Sequence, residues 1–265
     1  MKITIIGGGN MGGAIARGLA SGSIFKESDI SVIDVSNPPL ERLKHDFPGI
    51  KTVTSNYDEI HLADIVVLAV KPWLIEDVIL DIKFKLDYEK QILISIASGV
   101  TLENMEKSLN KSSDDFSLPA LFRIIPNTAV SIGESMTLVA TDNASDEQKY
   151  LVLKIFNDLG KSVLIDEEKI SACTALTSCG IAFFFRYIRA AMLAGTEMGI
   201  YPKDSREMLA YTMKGAANLL LATGANPEDE IDKVTTPGGV TIKGLNELEA
   251  NGFSNAVIKA LKACK

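Results

Sequence analysis

Six residues near the start, Gly7-Gly8-Gly9-Asn10-Met11-Gly12, leave this chain few folds to choose from. They fit the spacing G-x-G-x-x-G and stand between a strand-like run at residues 2–6 and an amphipathic stretch at 11–20. In a strand–turn–helix unit, Gly7 permits the tight turn and Gly9 lets the backbone approach a pyrophosphate. Gly12, with Gly13, lets the helix pack close to the strand. The helix start adds unpaired N–H groups and a positive dipole end, a seat for phosphate. A glycine-rich turn without a ligand is the competing reading. The acidic residue about twenty positions on weighs against it.

Further along, short β-branched runs at residues 30–34, 51–53, 65–70, 91–96, 121–124, 136–140 and 162–165 alternate with helical stretches at 39–45, 75–80 and 102–109. Such alternation predicts an α/β fold, a doubly wound parallel sheet with helices on both faces. Another helix is expected over 146–159, capped by Ser145 and closed by Gly160. Residues 111–115, Lys-Ser-Ser-Asp-Asp, read as an exposed loop.

After Asp166 no strand pattern remains. The expected division is a nucleotide-binding domain at 1–165 and a helical domain at 166–265. One long helix is predicted from Glu167 to about Gly199, with Gly180 and Gly195 inside it. Its middle, Ile181-Ala182-Phe183-Phe184-Phe185-Arg186-Tyr187-Ile188, is apolar on more than one face and needs cover on nearly all sides. The helical half makes a small core, so a second subunit is expected to supply that cover in an obligate homodimer. Packing on the chain's own nucleotide domain is the alternative.

Charge and cysteine usage narrow the class. With 27 Lys and Arg against 34 Asp and Glu, the net charge of −7 argues against nucleic acid as a partner. The apolar run at residues 181–185, like every other in the chain, is far short of the roughly 20 residues of a membrane span. Strand-like sequence begins at Lys2, so no targeting leader is expected. Cys173, Cys179 and Cys264 lack paired spacing and read as reduced thiols of a cytoplasmic protein. Neither they nor the distant His45 and His61 make a zinc-ligand pattern, so no metal is expected.

Three further places carry candidate chemistry. Asp34 ends the second strand, where a carboxylate can accept ribose hydroxyls and repel a 2′-phosphate, or can simply cap the next turn. Leu68-Ala69-Val70-Lys71-Pro72 and Ser95-Ile96-Ala97-Ser98-Gly99 end strands at the sheet edge where a ligand should lie. Lys71 reads equally as a solvated cation, and the small residues at 95–99 read as room for a flat ring or as packing. Finally, Val234-Thr235-Thr236-Pro237-Gly238-Gly239-Val240-Thr241-Ile242 precedes a helical segment at 245–250. It presents N–H groups that can seat a small carboxylate, and Thr241 adds a hydroxyl for a substrate nitrogen. A capped loop is the plainer alternative.

With these pieces in order, and with Ala69-Val70-Lys71-Pro72, Ser95 through Val100, Arg123-Ile124-Ile125-Pro126-Asn127-Thr128 and Thr235 through Ile242 among them, the chain resembles the pyrroline-5-carboxylate reductase family nearly end to end. The resemblance implies a Rossmann domain followed by a helical dimerisation domain. It implies reduction of a cyclic imine acid to L-proline with NADPH or NADH, by a homodimer or a larger assembly of dimers. Carried over position by position, the cofactor contacts are Ile6, Gly7, Gly8, Gly9, Asn10, Met11, Asp34, Asn56, Ala69, Val70, Lys71, Pro72, Ser95, Ile96 and Ala97, with Lys233 nearby. Implied substrate contacts are Glu167, Thr236, Gly238, Gly239, Val240 and Thr241, with Thr241 orienting the ring nitrogen. The chain departs from the family's Ser-Gly-Ser-Gly-Pro-Ala-Tyr at Thr177-Ser178-Cys179-Gly180-Ile181-Ala182-Phe183, and it carries Ala129 and Asn226 where proline and histidine are usual.

The chemistry can be set against the residues. A protonated imine arrives activated, so hydride transfer to it needs geometry more than a strong acid. A ketone becomes an alkoxide that a Lys or His must protonate. Both histidines lie in the nucleotide half, and no lysine occurs between Lys169 and Lys203. Imine reduction is therefore favoured. The rivals are a reductase of another small imine or keto acid and a non-catalytic NAD(P)-binding regulator. NADH against NADPH stays open, because family habit leans to NADPH and Asp34 leans the other way.

Overall fold

The β-branched runs pair side by side into one sheet. In the computed structural model, which describes residues 1–111 and 117–265, its strands are β1 (Ile3–Ile6), β2 (Ile30–Asp34), β3 (Lys51–Thr54), β4 (Ile65–Leu68), β5 (Ile92–Ser95), β6 (Ala120–Ile125), β7 (Ser135–Ala140) and β8 (Gly160–Leu164). Their order is β3-β2-β1-β4-β5-β6-β7-β8. The helices between them are α1 (Asn10–Ser21), α2 (Asn37–Asp46), α3 (Ile75–Ile82), α4 (Leu102–Leu109) and α5 (Asp146–Asn157). The loop expected at 111–115 lies, beyond Lys111, outside the described residues.

Period-two alternation decides which helix covers which face. Ile3, Ile5, Ile30, Val32, Ile65, Val67, Ile92 and Ile94 point to one face, where they meet Ile15 and Leu19 of α1, Leu40 and Leu43 of α2, and Ile155 and Phe156 of α5. Ile6, Ile33, Val66, Leu68 and Leu93 point to the other, against α3 and α4. Strand order reverses between β1 and β4, which opens a crevice at their carboxyl ends.

Two expectations needed correction. The sheet is mixed, not wholly parallel, since β6 and β7 run antiparallel. Residues 126–134 between them hold only a 3-10 turn, Thr128–Ile132, and a parallel crossover needs a dozen residues or more. The second concerns Gly160, which does not close α5. That helix ends at Asn157, and Gly160 opens β8 with φ 136°, where a Cβ would lie 2.3 Å from the Ser135 carbonyl oxygen.

The chain forms two compact units, Met1–Ser178 and Cys179–Lys265. The long helix predicted from Glu167 is present as a 3-10 turn (Glu167–Lys169), α6 (Ile170–Thr174), a π-helical turn (Ala175–Cys179) and α7 (Gly180–Glu197). Beyond it come α8 (Pro202–Thr223), α9 (Pro227–Lys233), α10 (Val240–Ala250) and α11 (Phe253–Lys262). Gly195 lets α7 and α8 close together, since a Cβ there would lie 3.2 Å from the Ser205 Cβ. The apolar middle of α7 stays largely uncovered within one chain: Phe184 is 58% exposed and Phe185 61%. By length and composition Glu167–Glu197 would also suffice to cross a membrane, although no apolar run within it exceeds five residues. Arg186 and Arg189 near its centre speak against that use, at about 2.5–3.5 kcal/mol each.

Candidate active site

The turn after β1 uses its glycines differently. Gly7 has φ 107°, and a Cβ there would sit 2.6 Å from the Ala69 carbonyl oxygen. At Gly12 a Cβ would lie 1.9 Å from the Gly7 oxygen and 2.9 Å from the Ala69 Cβ, so α1 reaches the turn only because that residue has no side chain. Gly9, the N-cap of α1, would meet nothing within 4 Å. Packing therefore explains Gly7 and Gly12 and leaves Gly9 unexplained. No side chain caps α1, so its first N–H groups await an outside acceptor. A cradle closed on two sides and open at Gly9 and Asn10 fits the pyrophosphate of a dinucleotide.

Asp34 is fixed beside this loop. Its Oδ2 accepts the Gly8 N–H at 2.6 Å and its Oδ1 accepts the Ser36 N–H at 2.8 Å. The carboxylate thus caps its own turn and retains lone pairs for ribose hydroxyls. Burial, then the Asp81 and Asp34 carboxylates, push the nearby Tyr57 phenol above its usual value, so it stays neutral. Asn56 follows Ser55, which is left-handed at φ 52°, and its Oδ1 accepts the Asp58 N–H at 2.6 Å.

Beyond β4, the Ala69 N–H donates to the Ile6 oxygen at 2.7 Å, Val70 follows, and Lys71 precedes a 3-10 turn opened by Pro72. At the end of β5, the Ile96 N–H donates to the Leu68 oxygen at 3.1 Å, and the buried Ser95 hydroxyl accepts from the Ala97 N–H at 3.3 Å. Residues 6–11, Asp34, Asn56, 69–72 and 95–97 thereby collect along one carboxyl edge of the sheet.

Glu167 is placed differently from a free ligand contact. Its Oε1 accepts both the Leu102 N–H at 2.8 Å and Arg123 Nη1 at 2.9 Å. The sequence alone marks Arg123 and Asn127 only as parts of a motif. In the fold Asn127 Nδ2 donates to the Thr177 carbonyl oxygen at 3.1 Å, inside the π-helical turn. The one signal for Arg123 was a charge within the apolar run Leu121-Phe122-Arg123-Ile124-Ile125.

In the helical unit, Lys233 ends α9 and pairs with Glu230 at 2.6 Å. Gly238 is left-handed at φ 75°, and the Gly239 N–H donates to the Thr236 oxygen at 2.9 Å. α10 then starts at Val240, earlier than the expected 245, because Gly239 caps it while the β-branched residues 240–242 and Gly244 hide it from a propensity reading. Val240 and Thr241 are thus its first two residues, with exposed side chains and N–H groups that lack intrahelical partners. Among the described residues no group of three His, Cys, Asp or Glu is placed to hold a metal, and all three cysteines are free.

Comparison with known proteins assigns both halves. A pyrroline-5-carboxylate reductase dimerisation model matches residues 167–265, and an NADP oxidoreductase, coenzyme F420-dependent, model matches residues 2–99. Pyrroline-5-carboxylate reductase 1 of Dictyostelium discoideum is 40% identical over 98% of this chain, which spans about half (48%) of that relative's length. The pyrroline-5-carboxylate reductase of Methanosarcina acetivorans is 35% identical over 100% of this chain and 97% of its own. Among solved structures, the reductase from Coxiella burnetii superposes with TM-score 0.88 at 31% identity, covering 99% of this chain and 95% of that one. The Plasmodium falciparum enzyme with NADP bound gives 0.86 at 27%, covering 100% and 95%. The uncovered apolar helices are those of a dimerisation domain, and the protein is a homodimer. With a matched dimerisation segment, a glycine cradle at the sheet edge and full-length relatives, the chain belongs to the pyrroline-5-carboxylate reductase family.

Proposed function

We propose that the protein reduces the cyclic imine of 1-pyrroline-5-carboxylate to L-proline with NADPH or NADH. Residues 1–165 hold the nucleotide and 166–265 provide dimerisation and substrate binding. The observation that carries the reading is Gly9, a glycine that no internal contact requires, at the head of an uncapped helix in a chain of this family. When bound, the nicotinamide supplies hydride. The chain's own groups do the rest. N–H groups at residues 9–11 hold the pyrophosphate, and Asp34 takes the ribose. Residues 69–72 and 95–97, with Asn56 and Lys233, border the cofactor.

For the substrate, N–H groups of Gly238, Val240 and Thr241, with Thr236 and Gly239 shaping the turn, seat the carboxylate. The Thr241 hydroxyl holds the ring nitrogen. No strong protein acid is needed, because the iminium already carries the proton that the product amine keeps. The homodimer joins into a larger assembly of dimers in the cytoplasm.

The π-helical turn Ala175–Cys179 overlaps the start of the stretch, Thr177–Phe183, that departs from the family pattern, and it favours one second reading: the same architecture acting on a different ring size. Steady-state assay of pyrroline-5-carboxylate beside its six-membered homologue, with each nicotinamide in turn, decides. The five-membered imine is expected to have the higher kcat/KM, and the reverse order would transfer the assignment to the larger ring.

A further inference from the structure

Arg123 stands on β6 in register with Ser95, the last residue of β5. Its strand neighbours on the same face are apolar. Leu121 packs with Leu102, Met105 and Leu109 of α4, and Ile125 packs with Ile170 of α6. Arg123 is only 9% exposed, and its Nε has no hydrogen-bond partner. Hydrocarbon would serve stability as well here, because a buried ion pair rarely recovers its desolvation cost. What the guanidinium gains is Glu167, whose single oxygen Oε1 also accepts the N–H of Leu102, the first residue of α4. Thr101 already caps that helix through the Asn104 N–H, so the Glu167 bond is a second restraint on the same turn. Residues 96–101, between β5 and α4, lie between these fixed points.

We propose that Arg123 and Glu167 are positioning residues for the reaction: the pair holds the first turn of α4, and through it the loop 96–101, where the nicotinamide must rest. The proposal depends on the reductase reading above and gives Glu167 a different task from the substrate contact the resemblance implies. Arg123 keeps the carboxylate aimed, and Glu167 restrains the loop. Neither touches the reacting atoms.

The test compares Glu167→Ala and Glu167→Gln with the unaltered homodimer. It reads amide hydrogen exchange at Leu102 without cofactor, the Kd for NADPH and NADH by fluorescence titration, and the kcat and KM for the imine. In Glu167→Ala, Leu102 exchange is expected to quicken at least about tenfold. Cofactor Kd rises about fivefold and kcat falls about ten- to thirtyfold, in proportion to a displacement well under 1 Å, while the imine KM shifts less than about threefold. Glu167→Gln keeps an acceptor oxygen and restores slow exchange and most of the turnover. A raised imine KM with unchanged Leu102 exchange would overturn the proposal and return Glu167 to the substrate. Faster exchange with unchanged Kd and kcat would overturn it too, leaving the pair a purely structural role. If Glu167→Ala does not fold, Glu167→Asp takes its place, because it keeps the charge and withdraws the oxygen by one methylene. It should show the same pattern, and normal exchange with normal kcat would refute the idea. Failure of the unaltered protein to reduce any imine would sink the reductase reading instead, and Leu102 exchange with cofactor Kd would still decide the pair.

Discussion

Replacing Gly9 by alanine separates folding from cofactor binding. In the protein without ligand the added methyl meets nothing within 4 Å, and the backbone there, φ −65° and ψ −161°, suits any residue. Alanine at a compatible position restricts the unfolded chain and stabilises by about 0.4–1 kcal/mol. For a chain of this size that is a rise in Tm of about 1–4 °C. A phosphate held by the first N–H groups of α1 must come within about 2.7–3.2 Å of those nitrogens. The new methyl carbon occupies that approach and pushes the phosphate out by roughly 1 Å, weakening one or two charge-assisted bonds of about 1.5–3 kcal/mol each. Partial loss of this kind corresponds to a Kd raised about 10- to 100-fold. Gly12→Ala provides the contrast. Its Cβ would lie 1.9 Å from the Gly7 oxygen, so overpacking of about 1–3 kcal/mol lowers Tm as well as affinity. The assay is thermal melting without ligand beside fluorescence titration with NADPH and NADH. Unchanged cofactor affinity in Gly9→Ala would refute the claim that the open side of the cradle faces a pyrophosphate.

Three further outcomes follow from the same geometry. Thr241→Ala is expected to lower kcat by about one to two powers of ten, as for a lost positioning hydrogen bond, and unchanged turnover in steady-state kinetics would remove Thr241 from the mechanism. Asp34→Asn keeps an acceptor for one of the Gly8 and Ser36 N–H groups, turns its NH2 toward the other, and removes a charge taken as about 6 Å from a 2′-phosphate. That repulsion is about 1.4–2.8 kcal/mol at an effective dielectric of about 20–40, so the NADPH-to-NADH ratio of kcat/KM should rise about 10- to 100-fold, and an unchanged ratio would free Asp34 of any role in selection. The Glu106 carboxyl is pushed above its usual value by burial, then by Asp142, Glu103 and Glu167. Because its folded pKa is the higher one, its contribution is present below the unfolded value and is lost as pH rises through the folded value. Glu106→Gln should therefore raise Tm at pH 7 and lose that advantage near about pH 3, where both side chains are neutral. Equal melting at both pH values would contradict the assignment.

Legibility followed the range of the forces involved. The inner strands were readable because β-branched runs such as Ile3 to Ile6 and Ile65 to Leu68 are buried on both faces and need few long-range facts, whereas the edge strands β3 and β8 are only partly buried and show as short runs alone. The need to cover α7 was readable for a similar reason, since Phe183, Phe184 and Phe185 cannot all face one side. Direction was harder. The antiparallel β6–β7 step depends on the length of the 126–134 connection, which a count of alternating elements ignores. The start of α10 was missed because Val240, Thr241 and Ile242 are weak helix formers that the Gly239 cap nonetheless begins. Hardest was Glu167, whose partners Leu102 and Arg123 stand 65 and 44 residues away along the chain. Only the fold brings them together.

The most direct trial of the account follows a label. Reduced NADPH or NADH carrying two deuterium atoms at C4 is incubated with pyrroline-5-carboxylate and the homodimer, and the product is examined by mass spectrometry and NMR. One deuterium per turnover, on the ring carbon that was double-bonded to nitrogen in L-proline formed one-for-one with oxidised cofactor, is the predicted result. Cofactor that stays reduced, or label that appears anywhere but that carbon, would contradict it.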